Sequence, residues 1–276
     1  CGFCGSGYLA EAVSPEDTGR LYEEFYGRKG SPPSDASQNQ FRDSLRDAFK
    51  SSPVWTALLA GVNLERLVGS GERVLDIGFA GTAVPRLLQK RGAQWTGIDV
   101  NPKLVAAAKD QGFDASSVDA IEFSEDNGGV FDVVLLSQVL EHTTRPLELL
   151  KAARACLKPN GRVVVSCPNF SSRYRGRFAR DWIHWHVPYH TCQYTPEAIT
   201  ILARKGDLLV DSLDTASPST WVAEQIRFER PPEGTQAGQM FGPREWMLAY
   251  PSAVVGDVLG IEDGDALIAV LRKPAE

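Results

Sequence analysis

All four histidines of the chain fall in two places: His142, in the run LEH, and His184, His186 and His190, in DWIHWHVPYHTCQYTP at 181–196. Imidazole is the side chain whose ordinary pKa lies near neutrality, so such a cluster suits removal of a proton from an acceptor hydroxyl. His186 and His190 are the preferred candidates for that base, with His142 beside them. Trp182, Trp185, Tyr189 and Tyr194, interleaved with the histidines, would wall an acceptor pocket. The same residues read equally as packing aromatics and surface imidazoles. A metal reading draws on His184, His186, His190 and Cys192, but no carboxylate at a set spacing completes it. Arg173, Arg175, Arg177 and Arg180, in SSRYRGRFAR, offer paired donor forks for phosphate or carboxylate. Arg173 and Arg175 are therefore candidates for an anionic acceptor, against the alternative of a solvated loop offsetting nearby acids.

A second set of candidates consists of carboxylates that close apolar runs. RVLDIGFAGTAVPRLL, at 73–88, carries Asp76 in a strand-like run, then Gly78, Ala80 and Gly81, then a helix-like pattern. WTGIDV ends near Asp99, 21 residues after Gly78. A strand turning into a helix through small residues lets a ligand approach backbone N–H groups. A carboxylate ending the next strand accepts two hydrogen bonds from a ribose diol, so an adenosine is the expected ligand. Nicotinamide dinucleotides and S-adenosylmethionine both present one. A pyrophosphate would want Gly-x-Gly-x-x-Gly, whereas the corresponding positions are Gly78, Ala80 and Ala83, a poor dinucleotide fingerprint.

The elements that must position these residues alternate along the chain after Gly71: VLDIG, AVPRLLQKRG, WTGIDV, PKLVAAAKDQG, DASSVDA, FDVVLLS, PLELLKAARACLKPNG, RVVVSCP. Strand-like runs alternating with helices of this length predict crossover units and a parallel sheet buried on both faces. Gly92, Gly112 and Pro159-Asn160-Gly161 are the expected helix breaks. A helix capped at Thr195-Pro196-Glu197 runs to Lys205, and DLLVDSLDTA and DALIAVLRK are two further strands. In an open sheet of this kind the ligand lies outside the carboxyl ends of the strands, where strand order reverses.

A net charge of −6 disfavours a surface built to neutralise nucleic-acid phosphates or to adhere to anionic lipid, which leaves small-molecule chemistry. The longest apolar run is short of a bilayer span and no leader pattern is visible, so a cytoplasmic protein is expected. The five cysteines, Cys1, Cys4, Cys156, Cys167 and Cys192, do not form a disulfide framework.

The segments VLDIGFAGT, WTGIDVNP, VDA at 118–120, FDVVLLSQVLEH and LKPNGRVVVSCPN, in that order, resemble the successive signatures of the class I S-adenosylmethionine-dependent methyltransferases. The resemblance covers residues 73–215, with DALIAVLRK similar to that family's antiparallel last strand. It implies an α/β fold: a Rossmann-like, doubly wound, seven-stranded sheet with helices on both faces. It implies further that Asp76 and Gly78 border the methionine moiety, with Ala80 and Gly81 in the same turn. Asp99 would take the ribose hydroxyls, Asp119 with the Ala120 backbone the adenine, and Ser137 and Gln138 the surroundings of the sulfonium. The family usually has Gly where this chain has Ala80 and Thr82. WHVPYHTCQYTPEAI resembles a segment of a subgroup attached to sugar or surface-polysaccharide and secondary metabolism, which implies O-methylation of a sugar-containing or related metabolite. A non-catalytic protein that binds the cofactor, and a nicotinamide-dependent oxidoreductase, are the competing readings.

Residues 1–30 open with Cys-Gly-Phe-Cys-Gly, which resembles one knuckle of a zinc-ribbon-like element preceding that subgroup. Cys1 and Cys4 would supply half a zinc site, incomplete in the chain as written. Residues 31–70 read as a Pro/Ser/Gln linker followed by two lead-in helices over 41–68, and residues 71–276 as the main domain. An insertion at about 217–251, with Trp221, Phe228, Phe241 and Trp246, is expected to cover the acceptor as a lid or to make a contact in a homo-oligomer.

Overall fold

The computed structural model describes residues 1–10, 14, 17, 20, 62, 64–229 and 263–274. Its centre is a seven-stranded sheet built from β2 (Arg73–Ile77), β3 (Gln94–Ile98), β4 (Asp114–Ser116), β5 (Phe131–Ser137), β6 (Leu157–Pro168), β8 (Leu209–Ala216) and β9 (Ala266–Arg272). The spatial order is β4-β3-β2-β5-β6-β9-β8, and β9 is antiparallel to both of its neighbours. A separate two-stranded ribbon pairs β1 (Gly7–Tyr8) antiparallel with β7 (Cys192–Gln193). The described helices are α1 (Ala83–Lys90), α2 (Pro102–Lys109), α3 (Ala120–Asp126), α4 (Pro146–Cys156), α5 (Arg173–Phe178), α6 (Pro196–Lys205) and α7 (Ser219–Glu229).

The near-continuous apolar runs of β2, β5 and β6 follow from burial on both faces. Successive side chains alternate between the faces. Leu75, Ile77, Val134, Leu136, Val163 and Val165 enter one core with Leu150 of α4 and Ile199 of α6. Val74, Val133, Leu135 and Val164 enter the other with Leu88 of α1 and Val105 of α2. Polar side chains start several helices: Asn101 accepts from the Lys103 N–H at 3.0 Å, Ser172 from Tyr174 at 2.9 Å and Thr195 from Ala198 at 3.1 Å.

The helix expected to break at Pro159-Asn160-Gly161 ends slightly earlier, at Cys156, because fully buried Leu157 already pairs with Phe131 in the sheet. The next paired residue is Arg162, opposite Val133, so the four intervening residues form a bulge with Asn160 at φ +63°. The N-terminal Cys-x-x-Cys turn, read in the sequence as part of a small appendage, is hydrogen-bonded to the end of the histidine-rich segment. Leu9 N–H donates to the Thr191 carbonyl at 3.1 Å, and Thr195 Oγ1 donates to the Cys4 carbonyl at 2.6 Å. The insertion after Ser217 begins with α7, whose Val222 and Ala223 bury against Tyr174, Phe178 and Trp182. The lead-in helices over 41–68 lie outside the described residues apart from a 3-10 turn at Leu64–Leu67, as do Phe241, Trp246 and the side chain of Phe228. No helix among the described residues is long and apolar enough to cross a membrane.

Gly97 ties the fold to the site. A Cβ added there would overlap the Trp95 ring and come within 2.8 Å of Phe79 Cδ1, and Trp95 packs edge-on against Phe79 with centroids 5.3 Å apart. Gly97→Ala is expected to lower stability by about 1–3 kcal/mol through overpacking, seen as a lower urea midpoint with an unchanged slope.

Candidate active site

The chain leaves β2 towards β3 and β4 and leaves β5 towards β6, so strand order reverses between β2 and β5, with Ile77 opposite Leu136. The turns after these two strands face one another across the resulting crevice. Gly78 has φ +68°, donates its N–H to the Ile98 carbonyl at 2.8 Å, and has no room for a side chain: a Cβ would come 2.7 Å from Val139 Cγ2. Ala80 holds φ +50°, so it takes the left-handed conformation that a glycine adopts without steric cost. Gln138, on the facing turn, also lies in that region at φ +56°. A Cβ built on Gly81 meets no protein atom, so the turn leaves open space beside its backbone.

Two acids stand behind this turn. Asp76 is 3% exposed and accepts a hydrogen bond from Trp95 Nε1 at 3.1 Å. Burial, opposed by that bond and reinforced by nearby Asp99, pushes its carboxyl up to about 7. Asp99, partly buried at the end of β3, accepts from the Asn101 N–H at 2.8 Å and from the Ala80 backbone, while burial raises its pKa. The carboxylate at the end of one strand thereby pins the turn that follows another. Asp119 caps α3, accepting from the Ile121 N–H at 2.8 Å, and faces Arg145 at 3.9 Å; Ala120 is buried as the first residue of that helix. Ser137 pairs with Ser166, and Gln138 is held twice by Ser166, through N–H to carbonyl at 2.8 Å and Nε2 to Oγ at 2.9 Å.

The histidine-rich segment is sewn to the turn after β5. Thr191 N–H donates to the Glu141 carbonyl at 2.8 Å, Thr191 Oγ1 to the Thr143 carbonyl at 2.9 Å, and the Tyr194 hydroxyl to the Leu140 carbonyl at 3.2 Å. These bonds bring His142, His186 and His190 together. Ring centroids are 4.6 Å apart for His142 and His190, 4.9 Å for His186 and His190, and 6.4 Å for His142 and His186. His142 Nδ1 lies 3.1 Å from the Tyr189 carbonyl and His190 Nδ1 2.8 Å from the His184 carbonyl. Burial pushes the His142 imidazole down to about 4 and that of His190 to about 2, so both are neutral at neutral pH. His186, at φ +35°, is half-buried, and its ring lies 5.0 Å from that of Tyr189.

Other residues singled out from the sequence have different surroundings. His184 does not join the other three: its Nε2 lies 3.1 Å from Asp265 Oδ2 and its ring 4.4 Å from Trp221, which removes it from the metal set read in the sequence. Trp182 is 2% exposed and donates from Nε1 to Asp265 Oδ1 at 2.9 Å; it is a core residue rather than a pocket wall. Trp185 donates to the Ala179 carbonyl at 2.8 Å and packs edge-on against Phe170. Arg173 is engaged by Asp263 at 2.7 Å, whereas Arg175 lies over the Phe170 ring at 4.2 Å. Among the described residues no third metal-ligating side chain gathers at Cys1 and Cys4.

The sequence reading passed over Glu141, Asp265 and Gln225. Glu141 was visible as an acid following VL in an otherwise apolar run. Gln225 accepts from the Ile183 N–H at 2.7 Å and donates to the Asp181 carbonyl at 2.8 Å, clamping the histidine segment to α7, and nothing local in the sequence signals this.

A family model described as "Methyltransferase domain" matches residues 56–213, more than half of the chain. The chain belongs to the methyltransferase domain family. Within it, the sheet order and the single antiparallel strand are those of a class I S-adenosylmethionine-dependent methyltransferase domain. A ubiquinone biosynthesis O-methyltransferase of Xanthomonas oryzae is 34% identical over 110 residues, which are 38% of this chain and 46% of that protein. The match thus spans about half the length of the relative. Among solved structures, an S-adenosylmethionine-dependent methyltransferase from Archaeoglobus fulgidus aligns over 84% of this chain and 100% of its own, with TM-score 0.53 and 18% identity. A Burkholderia thailandensis 1,6-didemethyltoxoflavin-N1-methyltransferase, solved with S-adenosylhomocysteine, aligns over 98% and 95%, with TM-score 0.55 and 14% identity. Both show the shared fold.

The raised carboxyl of Asp76 has a signed consequence. Folded Asp76 titrates near 7 against an ordinary 3.8, so between these values the folded state binds more protons than the unfolded state and stability falls as pH rises. Asp76→Asn cannot ionise and retains an oxygen for Trp95. In urea titrations from pH 4 to 8 it is expected to lose this decline, gaining up to about 4 kcal/mol on the wild type across the range.

Proposed function

We propose that this domain transfers a methyl group from S-adenosylmethionine to an oxygen of a small acceptor, a sugar-containing or related metabolite, with His186 taking the acceptor's proton. When bound, the cofactor supplies an electrophilic methyl on a sulfonium. The residues present suit it: the open space at Gly81 leaves room for a ligand against the turn, and the partly buried Asp99 carboxylate after β3 would accept hydrogen bonds from a ribose diol. Asp76 and Gly78 would border the methionine part, Asp119 and the Ala120 backbone the adenine, and Ser137 and Gln138 the reacting centre. Gln138, held on both sides by Ser166, gives that part of the crevice a fixed wall. Methyl transfer asks chiefly that the acceptor oxygen be held in line behind the methyl, with a base for its proton.

The observation that carries this reading is the convergence of three imidazoles beside the β2–β5 crevice. His190 is 6% exposed and deeply neutral, and His142 is also buried, so half-buried His186 is the ring best able to meet an acceptor from solvent. Trp185 and Tyr189 lie on the same segment and supply aromatic surface against an acceptor, and Arg175 a cation for an anionic one.

Methyl transfer from labelled S-adenosylmethionine to nucleotide-linked sugars and to hydroxylated aromatics tests the reading. His186→Asn is expected to lower kcat by about 10²–10⁴ while leaving S-adenosylhomocysteine affinity within twofold. Unchanged turnover in this variant would remove His186 from the chemistry. Cofactor binding without transfer to any hydroxyl would overturn O-methylation.

A further inference from the structure

The methyl-transfer reading leaves Glu141 without a task. Its side chain is 1% exposed, and among the described residues neither carboxylate oxygen has a hydrogen-bond partner from another residue. A buried carboxylate in that condition has given up its hydration with no donor in return, a cost of several kcal/mol when it is ionised. Its one ionisable neighbour among the described ion pairs is the neutral imidazole of His142, whose Nε2 lies 4.0 Å from Glu141 Oε1. No Lys or Arg pairs with it among the described residues.

The two nearest imidazoles are oriented by the backbone. His142 Nδ1 meets the Tyr189 carbonyl and His190 Nδ1 the His184 carbonyl. A carbonyl oxygen only accepts, so in the neutral rings both Nδ1 atoms carry the proton and both Nε2 atoms carry a lone pair. Fixing a ring through its other nitrogen in this way is how metal-ligating histidines are held. One donor atom from each of Glu141, His142 and His190 lies within 4.8 Å of the other two. Three potential ligand atoms, one from each side chain, thus gather at a largely buried point, and among the described residues no Lys or Arg is paired with the carboxylate there.

The geometry points to Glu141, His142 and His190 as the protein ligands of a divalent transition-metal ion, held by one carboxylate and two imidazole nitrogens. This site differs from the one read in the sequence: it excludes His184 and Cys192 and takes its acid from the turn after β5. Two imidazoles and one carboxylate suit zinc and its first-row neighbours, whereas magnesium prefers oxygen donors and keeps its waters. Bonds of about 2.0–2.1 Å place tetrahedral ligands roughly 3.3 Å apart, so the three donors need draw in only modestly. With three protein ligands, a coordination position remains for water or an exogenous oxygen.

The test uses metal-free protein carrying Cys1→Ser and Cys4→Ser, so that the thiol knuckle cannot bind, titrated with Zn²⁺ by calorimetry and with Co²⁺ by visible absorption. The expected result is one equivalent bound with micromolar or tighter Kd, and Co²⁺ bands of low coordination number without thiolate charge transfer. Glu141→Gln, which keeps the side chain's shape, and His190→Ala are each expected to weaken binding roughly 100-fold or more, with thermal melts of the metal-free variants showing that they are folded. Absence of stoichiometric binding, thiolate bands in the Co²⁺ spectrum, or unchanged affinity in folded Glu141→Gln would each overturn the site and leave Glu141 holding a proton alone.

Discussion

The parallel pairing of β2 with β5, from Val74 opposite Val133 to Ile77 opposite Leu136, is the constraint on which the rest of the molecule depends. Because the chain departs from these two strands in opposite directions, no crossover covers their carboxyl ends and the turns at 78–81 and 138–142 are left to face each other. Gly78 shows how closely they approach: its missing Cβ is the room that Val139 occupies. Ala80 and Gln138 accept left-handed backbone on either side of the gap, a strain that persists only where the surroundings fix it. Asp99 does so for Ala80, and Ser166 for Gln138.

Charge is divided between the two edges of the sheet. At the amino ends of the parallel strands, Arg162 pairs with Glu72 at 2.7 Å, Lys158 with Asp132 at 2.8 Å and Arg272 with Asp211 at 2.6 Å, so acids there are compensated. At the carboxyl ends, Asp76, Asp99 and Glu141 are all raised by burial, and no other side chain among the described residues donates to the Glu141 carboxylate. Burying acids without cations is unfavourable, and a positively charged ligand beside them relieves that cost. The proposed cofactor, with its cationic methionine part near Asp76, and the proposed metal ion at Glu141 would be ligands of that kind. The stability given up at this edge is offset by the two apolar cores that sandwich β2, β5 and β6.

Much of this was legible in the sequence, for identifiable reasons. Apolar runs interrupted by helices of 10–15 residues fixed the parallel sheet, and acids closing such runs marked Asp76 and Asp99, because period and burial are local properties of the chain. The helix expected to reach the break at Pro159-Asn160-Gly161 stops at Cys156, because Leu157, which fits the helix pattern, is also the buried start of a strand. Clustering brought His186 and His190 forward correctly as neighbours, but it also grouped His184 with them. Only the tertiary fold, which brings Asp265 from the far end of the chain, turns that ring away. Trp182 was drawn into the pocket by its neighbours in sequence and into the core by the same aspartate. Glu141 was passed over because a single acid in an apolar run looks like a surface position until both of its oxygens are seen to be buried.

The central claim is that the crevice between β2 and β5 binds an adenosyl cofactor through the carboxylate at the end of β3. Calorimetric titration of the protein and of Asp99→Ala with S-adenosylhomocysteine tests it most directly. The account predicts one site of micromolar affinity in the wild type, weakened by 10-fold or more in Asp99→Ala, as expected when about 1.4 kcal/mol or more of ribose hydrogen bonding is lost. Equal affinity in the two proteins, or no binding to a folded wild type, would contradict it.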